Sequence, residues 1–419
     1  MAAAQQLSHV YPLGSRLNDS GRLEVGGCDT MELAREFGTP AFIVAEDDIR
    51  ARARAFIAAF AARTDDFEVV FASKAFPCTA VYRLLFEEGI GCDVASGGEL
   101  ALALAGGVDP ACIHFHGNAK HRDELAFAIA AGVGDVIVDN MRDLVLLEDL
   151  VPEGRRQRIF LRIAPGVSPE THPAISTGGP NTKFGFDLSH APAAIERAQA
   201  SDAVDVGGLH FHIGSQIMDI APFRTALEAL TGLGDFPAYN LGGGLGVAYR
   251  AHDDPPSIED YVAAKVDAVD EIIGPGRRVI DEPGRALVAN SCVTLYEVQS
   301  VKRNVDTYVA VDGGMSDNLR PMLYDARYDA QVADRFGGGT RCHVVGKHCE
   351  SGDILVRDAD LDDPRAGDII VTPATGAYGH AMANTYNGAL RPPVVFVKDG
   401  DARVVVRRET HEDLMARDV

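Results

Sequence analysis

Between Phe67 and Pro283 the chain repeats one arrangement eight times, a short apolar run followed by a segment long enough for a helix. The runs are "FEVVFASK", "IGCDVAS", "IHFHGN", "DVIVDN", "RIFLRIAP", "VDVGGLHFHIG", "YNLGGG" and "RVIDEPG", and only the last lacks a helical segment behind it. Strands that are apolar nearly throughout are buried on both faces, which means a parallel sheet covered by helices. Eight such units in succession predict an α/β fold, a closed (β/α)8 TIM-like barrel, with an open doubly wound sheet as the alternative. The polar or glycine-rich ends of these runs, Lys74, Asp93, Asn118, His212, Gly242 to Gly244 and Glu282, all fall at the carboxyl end of the strands, where barrels build their sites.

A chain of 419 residues exceeds one ordinary core, so a second domain is expected. After Glu282 the texture changes to "CVTLYEVQSVKR", "DTYVAVDGG", "RCHVVGKHC", "GDIIVTPATGAY" and "PPVVFVKDG", β-rich runs broken by Gly, Pro and Asp. They predict a mostly antiparallel β domain. "AFIVAEDD", which precedes a helix at Ile49 to Ala62, is expected to add strands to it. The predicted organisation is a barrel over residues 47–285 and a discontinuous β domain from residues 1–46 and 286–419. "GVSPETHPAISTGGPNTKFGF", after the fifth run, is rich in Pro, Gly and Thr and predicts a mobile loop near the barrel mouth.

Charge narrows the partners. Lys and Arg number 39 against 61 Asp and Glu, a net charge of −22 that repels phosphate backbones and anionic membrane faces. Neither nucleic acid nor membrane is expected as a partner. No apolar run reaches the roughly 18 residues of a membrane span, and "MAAAQQLSHV" has no signal-peptide pattern, so a cytoplasmic protein is expected. The seven cysteines, Cys28, Cys78, Cys92, Cys112, Cys292, Cys342 and Cys349, are an odd number without zinc-type spacing and read as reduced thiols.

Five features bear on chemistry. A lysine at the inner end of a barrel strand, the position of Lys74, is suited as an amine nucleophile to a Schiff base, or it can snorkel to solvent. "NLGGGLGVAY", Asn240 to Tyr249, offers backbone N–H groups that a phosphate can approach closely, or it is a tight strand-to-helix turn. His210 and His212 stand two apart, as do His114 and His116, a spacing that permits metal pairs and keeps a metal-dependent hydrolase open. The other reading has His212 stacked on a flat aromatic cofactor with Ser215 at its phosphate. In "DEPGR", Glu282 can face a pyridine nitrogen and keep it protonated, or it can pair with Arg285. Lysine, glycine run, histidine and carboxylate together match pyridoxal phosphate better than a metal site. "GKHCESGD" adds Cys349, a candidate proton donor, beside Glu350.

These residues carry a resemblance. In "VDGGMSDNLRPMLYDARY", "VVGKHCESGD" and "EPGRALV", and in their order along nearly the whole chain, the sequence resembles the fold type III pyridoxal phosphate decarboxylases, the alanine racemase-like and ornithine decarboxylase-like barrels. It departs from many of them in reading "FASKAFP" around Lys74 and "MANTYNG" at Met382 to Gly388. The resemblance implies that Lys74 carries the cofactor, His212 stacks on its ring and Glu282 meets its ring nitrogen. Ser215, Gly243, Gly244 and Tyr378 would hold the phosphate, with Asp93 close to Lys74. Arg285, Arg320 and Tyr324 would grip the substrate's distal carboxylate, Glu350 would meet its distal ammonium, Tyr378 would also bind the substrate, and Cys349 would return a proton. The implied reaction is decarboxylation of meso-diaminopimelate to L-lysine. The alternatives on the same scaffold are decarboxylation of ornithine, arginine, carboxynorspermidine or a specialised metabolite. A homodimer is implied, in which Cys349 and Glu350 complete the other subunit's pocket.

Overall fold

The computed structural model describes residues 7–167, 177–179 and 182–419, so most of the connection expected to be a mobile loop lies outside the described residues. The chain divides into two units. One comprises Arg52–Gly246 and Pro255–Ala286, the other Met1–Ala51, Val247–Asp254 and Leu287–Val419. The stretch 247–254 belongs to the second unit although it interrupts the first, an excursion with no mark in the hydrophobic pattern.

All eight expected strands of the first unit form: β1 (Phe67–Ala72), β2 (Gly91–Val94), β3 (Ile113–Phe115), β4 (Asp135–Val138), β5 (Gln157–Ala164), β6 (Val204–His210), β7 (Ala238–Asn240) and β8 (Arg278–Asp281). Each pairs in parallel with its successor, and β8 returns to β1 with Val279 opposite Phe67, so the barrel is closed. A two-residue strand, Phe186–Asp187, adds to β5. Val70, Ile137, Phe160, Ala238 and Ile280 pack together as one buried cluster drawn from five strands. The intervening helices start where the sequence supplies side-chain caps: Ser96, Asn140 and Ser257 each accept from a backbone N–H in the first turn, and His121 with Glu124 forms a reciprocal capping box.

The amino end of the barrel is bound by charge. His114 is fully buried between Glu68 at 3.2 Å and Asp135 at 3.1 Å, which in turn meet Arg278 (2.9 Å) and Arg158 (2.5 Å). Burial alone would lower the His114 pKa, but the Glu68 and Asp135 carboxylates outweigh it and raise it to about 9. A histidine whose folded pKa exceeds its unfolded value stabilises fully below the unfolded value, and the stabilisation is lost as pH rises through the folded one. Unfolding free energy is therefore expected to fall by on the order of 3 kcal/mol from near neutrality to about pH 9. Denaturant titrations across that range check this. His114→Phe should flatten the slope, and an equally steep slope in the variant would assign it to other groups.

The second unit is a mostly antiparallel sheet in the order Ile354–Leu361, Thr340–Val345, Thr307–Val311, Cys292–Arg303, Ala41–Ala45, Val394–Lys398, Asp401–Val406, with Ile369–Pro373 also on Cys292–Arg303. Two pairings are parallel: Thr307–Val311 with Thr340–Val345, and Ala41–Ala45 with Val394–Lys398. Ala41–Ala45 thus joins this sheet as expected, and the helix behind it runs Glu46–Ala61, three residues earlier than predicted. The strands Ile354–Leu361 and Asp401–Val406 and a small sheet of Arg16–Leu17, Leu23–Val25 and Cys28–Asp29 were absent from the sequence reading. The seven cysteines are free thiols, of which Cys349 is exposed. Among the described residues no helix is long and apolar enough to cross a membrane.

Candidate active site

β1 is buried from Val69 to Ala72 and runs into a single 3₁₀ turn, Ser73–Ala75. Ser73 and Ala75 are buried while Lys74 between them is exposed, so the turn lifts one side chain out of the strand end. The Ser73 N–H donates to Asp93 Oδ1 at 3.0 Å, and its hydroxyl bonds the Asp93 carbonyl, tying the turn to the end of β2. The Lys74 amine makes no hydrogen bond or ion pair among the described residues. Its charge is nonetheless felt at Asp93 and His212. Burial, with Lys74 and Arg162 adding to it, lowers the His212 pKa well below the ordinary value, so the ring is a neutral imidazole.

Glu282 follows β8 and is buried. Its Oε1 accepts from His116 Nε2 at 2.9 Å and Asn240 Nδ2 at 2.7 Å, and its Oε2 meets His210 Nε2 at 3.1 Å. Burial opposes its charge, but His116 and His210 outweigh that and hold the carboxyl well below the usual range. Burial also lowers the His210 pKa to about 4, which makes this ring a neutral N–H donor. A carboxylate has about four acceptor positions, and three are filled here, which leaves one on Oε2.

The glycine run turns the chain after β7. Gly242 and Gly244 have φ of 59° and 125°, conformations that favour glycine. A Cβ on Gly243 would lie 1.9 Å from the Glu282 carbonyl oxygen, so the turn is pressed against the end of β8. The Gly244 carbonyl accepts from Ile217 N–H at 2.9 Å, which brings the Ser215 loop alongside, and Arg285 Nη2 donates to Ser215 Oγ at 2.9 Å. The N–H groups of Gly243 and Gly244 make no hydrogen bond among the described residues. Two unpaired backbone donors on a turn that admits no side chain, beside a serine hydroxyl, fit a phosphate group. An unpaired lysine amine, a neutral imidazole and a carboxylate with one open acceptor position fit the remainder of pyridoxal phosphate.

The second unit carries the other expected residues. Arg320 is buried, bonds the Tyr328 hydroxyl and lies with its guanidinium 4.5 Å from the Tyr249 ring centre. Tyr324 and Tyr378 are half-buried, and Tyr378 adopts a φ of 65° ahead of the turn Gly379–Met382. In the "GKHCESGD" loop, Asp353 accepts from Met315 N–H (2.7 Å) and His348 N–H (2.9 Å), while Asn387 Oδ1 accepts from Cys349 N–H at 3.2 Å. Cys349 and Glu350 stand exposed on this frame, with Glu350 Oε1 accepting from the Tyr386 hydroxyl at 2.5 Å.

Three sequence readings change. The histidine pairs weighed as metal ligands, His210 with His212 and His114 with His116, do not pair that way. Two residues along a strand rise about 7 Å, so same-facing neighbours belong to different layers of the interior. His116 meets His210 across the barrel, rings 5.1 Å apart, while His114 belongs to the charged layer at the amino end. Either cluster could bring three donor atoms to an ion, but His116 and His210 already point their Nε2 atoms at Glu282, and Glu68 and Asp135 are already paired with Arg278 and Arg158. The alternative pairing of Glu282 with Arg285 also fails to appear, since Arg285 binds Ser215. Sequence reading gave no role to Asn240, although it opens the glycine run at a strand end.

The family profile of the pyridoxal-dependent decarboxylases, pyridoxal binding domain, matches residues 46–289. A diaminopimelate decarboxylase of Halalkalibacterium halodurans is 45% identical over 97% of both chains, and that of Bacillus subtilis is 44% identical over 97% of both. Among solved structures, diaminopimelate decarboxylase of M. jannaschii in complex with L-lysine superposes with a TM-score of 0.90 at 35% identity, covering 97% of each chain.

Proposed function

The chain belongs to the diaminopimelate decarboxylases, pyridoxal-dependent enzymes, and on that premise we propose how its residues divide the work. The enzyme removes a carboxylate of meso-diaminopimelate as carbon dioxide and yields L-lysine. The structural observation behind the assignment of roles is that the unpaired Lys74 amine, the open position on Glu282 and the unpaired glycine N–H groups all lie at the carboxyl end of one barrel.

Pyridoxal phosphate supplies, when bound, a ring that takes up the electron pair released as the carboxylate leaves. Lys74 would hold the cofactor through its aldehyde group. The N–H groups of Gly243 and Gly244, with Ser215, would hold the phosphate, a role the resemblance extends to Tyr378. Glu282, kept ionised by His116 and His210, would use its remaining Oε2 position to favour a proton on the ring nitrogen. His212, neutral, would face the ring without adding a competing charge. Asp93 keeps the Lys74 turn in place.

Arg320 and Tyr324 would bind the distal carboxylate, for which a guanidinium fork is suited. Their support is Arg320 itself, a buried cation that has a tyrosine hydroxyl as its polar partner. The active form is a homodimer in which the partner subunit's Cys349 returns the proton and the partner subunit's Glu350 receives the distal ammonium. Exposure of that loop on a rigid frame supports this, as do free thiols for a cytoplasmic setting.

Two experiments test the scheme. Purified enzyme with bound cofactor is incubated with meso-diaminopimelate while carbon dioxide and lysine are followed, with ornithine and arginine in parallel. Equal release of both products from meso-diaminopimelate alone is expected, and turnover of ornithine instead would move the enzyme to a relative's specificity. Lys74→Ala and Cys349→Ala are each expected to be nearly inactive, and mixing them under subunit exchange should restore part of the activity, because one hybrid site is then intact. No recovery from a verified hybrid would refute the shared site.

A further inference from the structure

Beneath the glycine turn lies a buried charge that the scheme above does not use. Lys265, on the helix Ile258–Ile272, is 1% exposed. Its Nζ donates to the Leu241 carbonyl at 3.2 Å, the Gly242 carbonyl at 2.8 Å, the Tyr261 hydroxyl at 2.6 Å and Asp281 Oδ1 at 2.5 Å. Asp281 is fully buried and also accepts from the Tyr261 hydroxyl at 3.0 Å. The ammonium lies over the Phe223 and Tyr261 rings, 4.2 and 4.4 Å from their centres. It is thus held in one place by acceptors and by aromatic faces.

Its two carbonyl partners are consecutive residues of the turn. In a trans peptide the N–H points opposite the preceding C=O. Pinning the Gly242 carbonyl to Lys265 therefore turns the Gly243 N–H away from the helix. The Gly242 N–H is separately fixed to Asn240 Oδ1 at 3.0 Å. A cation on a carbonyl also polarises the peptide, which makes its N–H a better donor.

We infer that Lys265, neutralised by Asp281, is a positioning residue that locks the Leu241 and Gly242 carbonyls so that the Gly243 N–H is presented to the cofactor's phosphate. This rests on the reading of the glycine turn as the phosphate cradle. Lys265 touches no reacting atom, and its effect is confined to one end of the cofactor.

The test compares ligands that differ only in that end. Cofactor-free enzyme is titrated with pyridoxal phosphate and with pyridoxal, and binding is read from visible absorbance. Lys265→Met alone would strand Asp281, so the variant is Lys265→Met with Asp281→Asn, which removes both charges together and leaves Tyr261 an acceptor. The preference of wild type for the phosphorylated ligand is expected to drop by about 10-fold or more, the scale seen when an outer partner of a bound group is removed. Pyridoxal affinity should hold, and Tyr261→Phe, which touches neither carbonyl, should retain the preference. An unchanged preference in the double variant overturns the inference. A wild type without any preference overturns instead the phosphate reading beneath it. If the double variant does not fold, Lys265→Gln with Asp281→Asn, which keeps an amide donor without leaving a lone buried charge, must show an intermediate loss of preference.

Discussion

Lys74→Ala is expected to yield a folded protein without the visible absorbance of the loaded enzyme and with kcat lowered by roughly four orders of magnitude or more, the scale for loss of a covalent group that acts with its neighbours as a unit. The structure separates this effect from instability. The lysine is exposed, and its amine has no hydrogen-bond or ion-pair partner among the described residues. Its removal strands no buried charge, so the midpoint of thermal unfolding of cofactor-free protein should stay close to wild type, within the roughly 0.5 kcal/mol usual for surface changes. An added small primary amine should restore some turnover. A variant that remained coloured and active would assign the cofactor to another lysine; Lys120 and Lys265, each buried against an aspartate, are poor replacements.

Glu282→Gln is expected to act on rate and stability together. The carboxylate has three neighbours that point donors at it, and an amide keeps only one oxygen to accept them. One buried imidazole or the Asn240 amide then faces an N–H group, a loss of about 1–3 kcal/mol of stability. On the role proposed for Glu282 the catalytic loss is larger, on the order of 10²–10³ in kcat, because the charge opposite the ring nitrogen is gone. The two effects are separable by measuring unfolding of the cofactor-free protein and kcat of the saturated one. The pH dependence has a definite sign. The folded pKa of Glu282 lies below its unfolded value, so its stabilisation is present above the ordinary carboxylate range and is lost as pH falls toward the depressed value. Wild type should therefore lose stability on acidification more steeply than the variant.

The barrel was legible because its strands are buried on both faces: "FEVVFA" and "DVIV" need no alternation to be recognised. The second sheet was read only in part. Ile354–Leu361 alternates, and its charges Arg357, Asp358 and Asp360 disguised it as a loop, while Asp401–Val406 is an edge strand with a charged start in which Asp401, Arg403 and Val404 are exposed. The strands of two or three residues near the amino terminus carry too little pattern to register. In the site, residues that terminate strands were visible because position alone marks them. Their partners were not. His116 follows β3, His210 and Asn240 end β6 and β7, and only closure of the barrel gathers them on Glu282. Asp281 was passed over for its neighbour, since nothing in "IDEPGR" tells that a lysine on a helix sixteen residues earlier sits against it.

The strand Ala41–Ala45, all five residues buried, lies between Cys292–Arg303 and Val394–Lys398. A ribosome makes it first and both neighbours last. At the usual pace of synthesis it waits on the order of tens of seconds for the nearer one and longer for the other. Through that interval "AFIVA" is an unpaired apolar edge, the kind of segment that joins strands of other chains. The yield of active enzyme in a cell therefore depends on what shields the first fifty residues until the last thirty arrive, and a chain truncated after the barrel should accumulate as aggregate even though the barrel's own eight strands are complete.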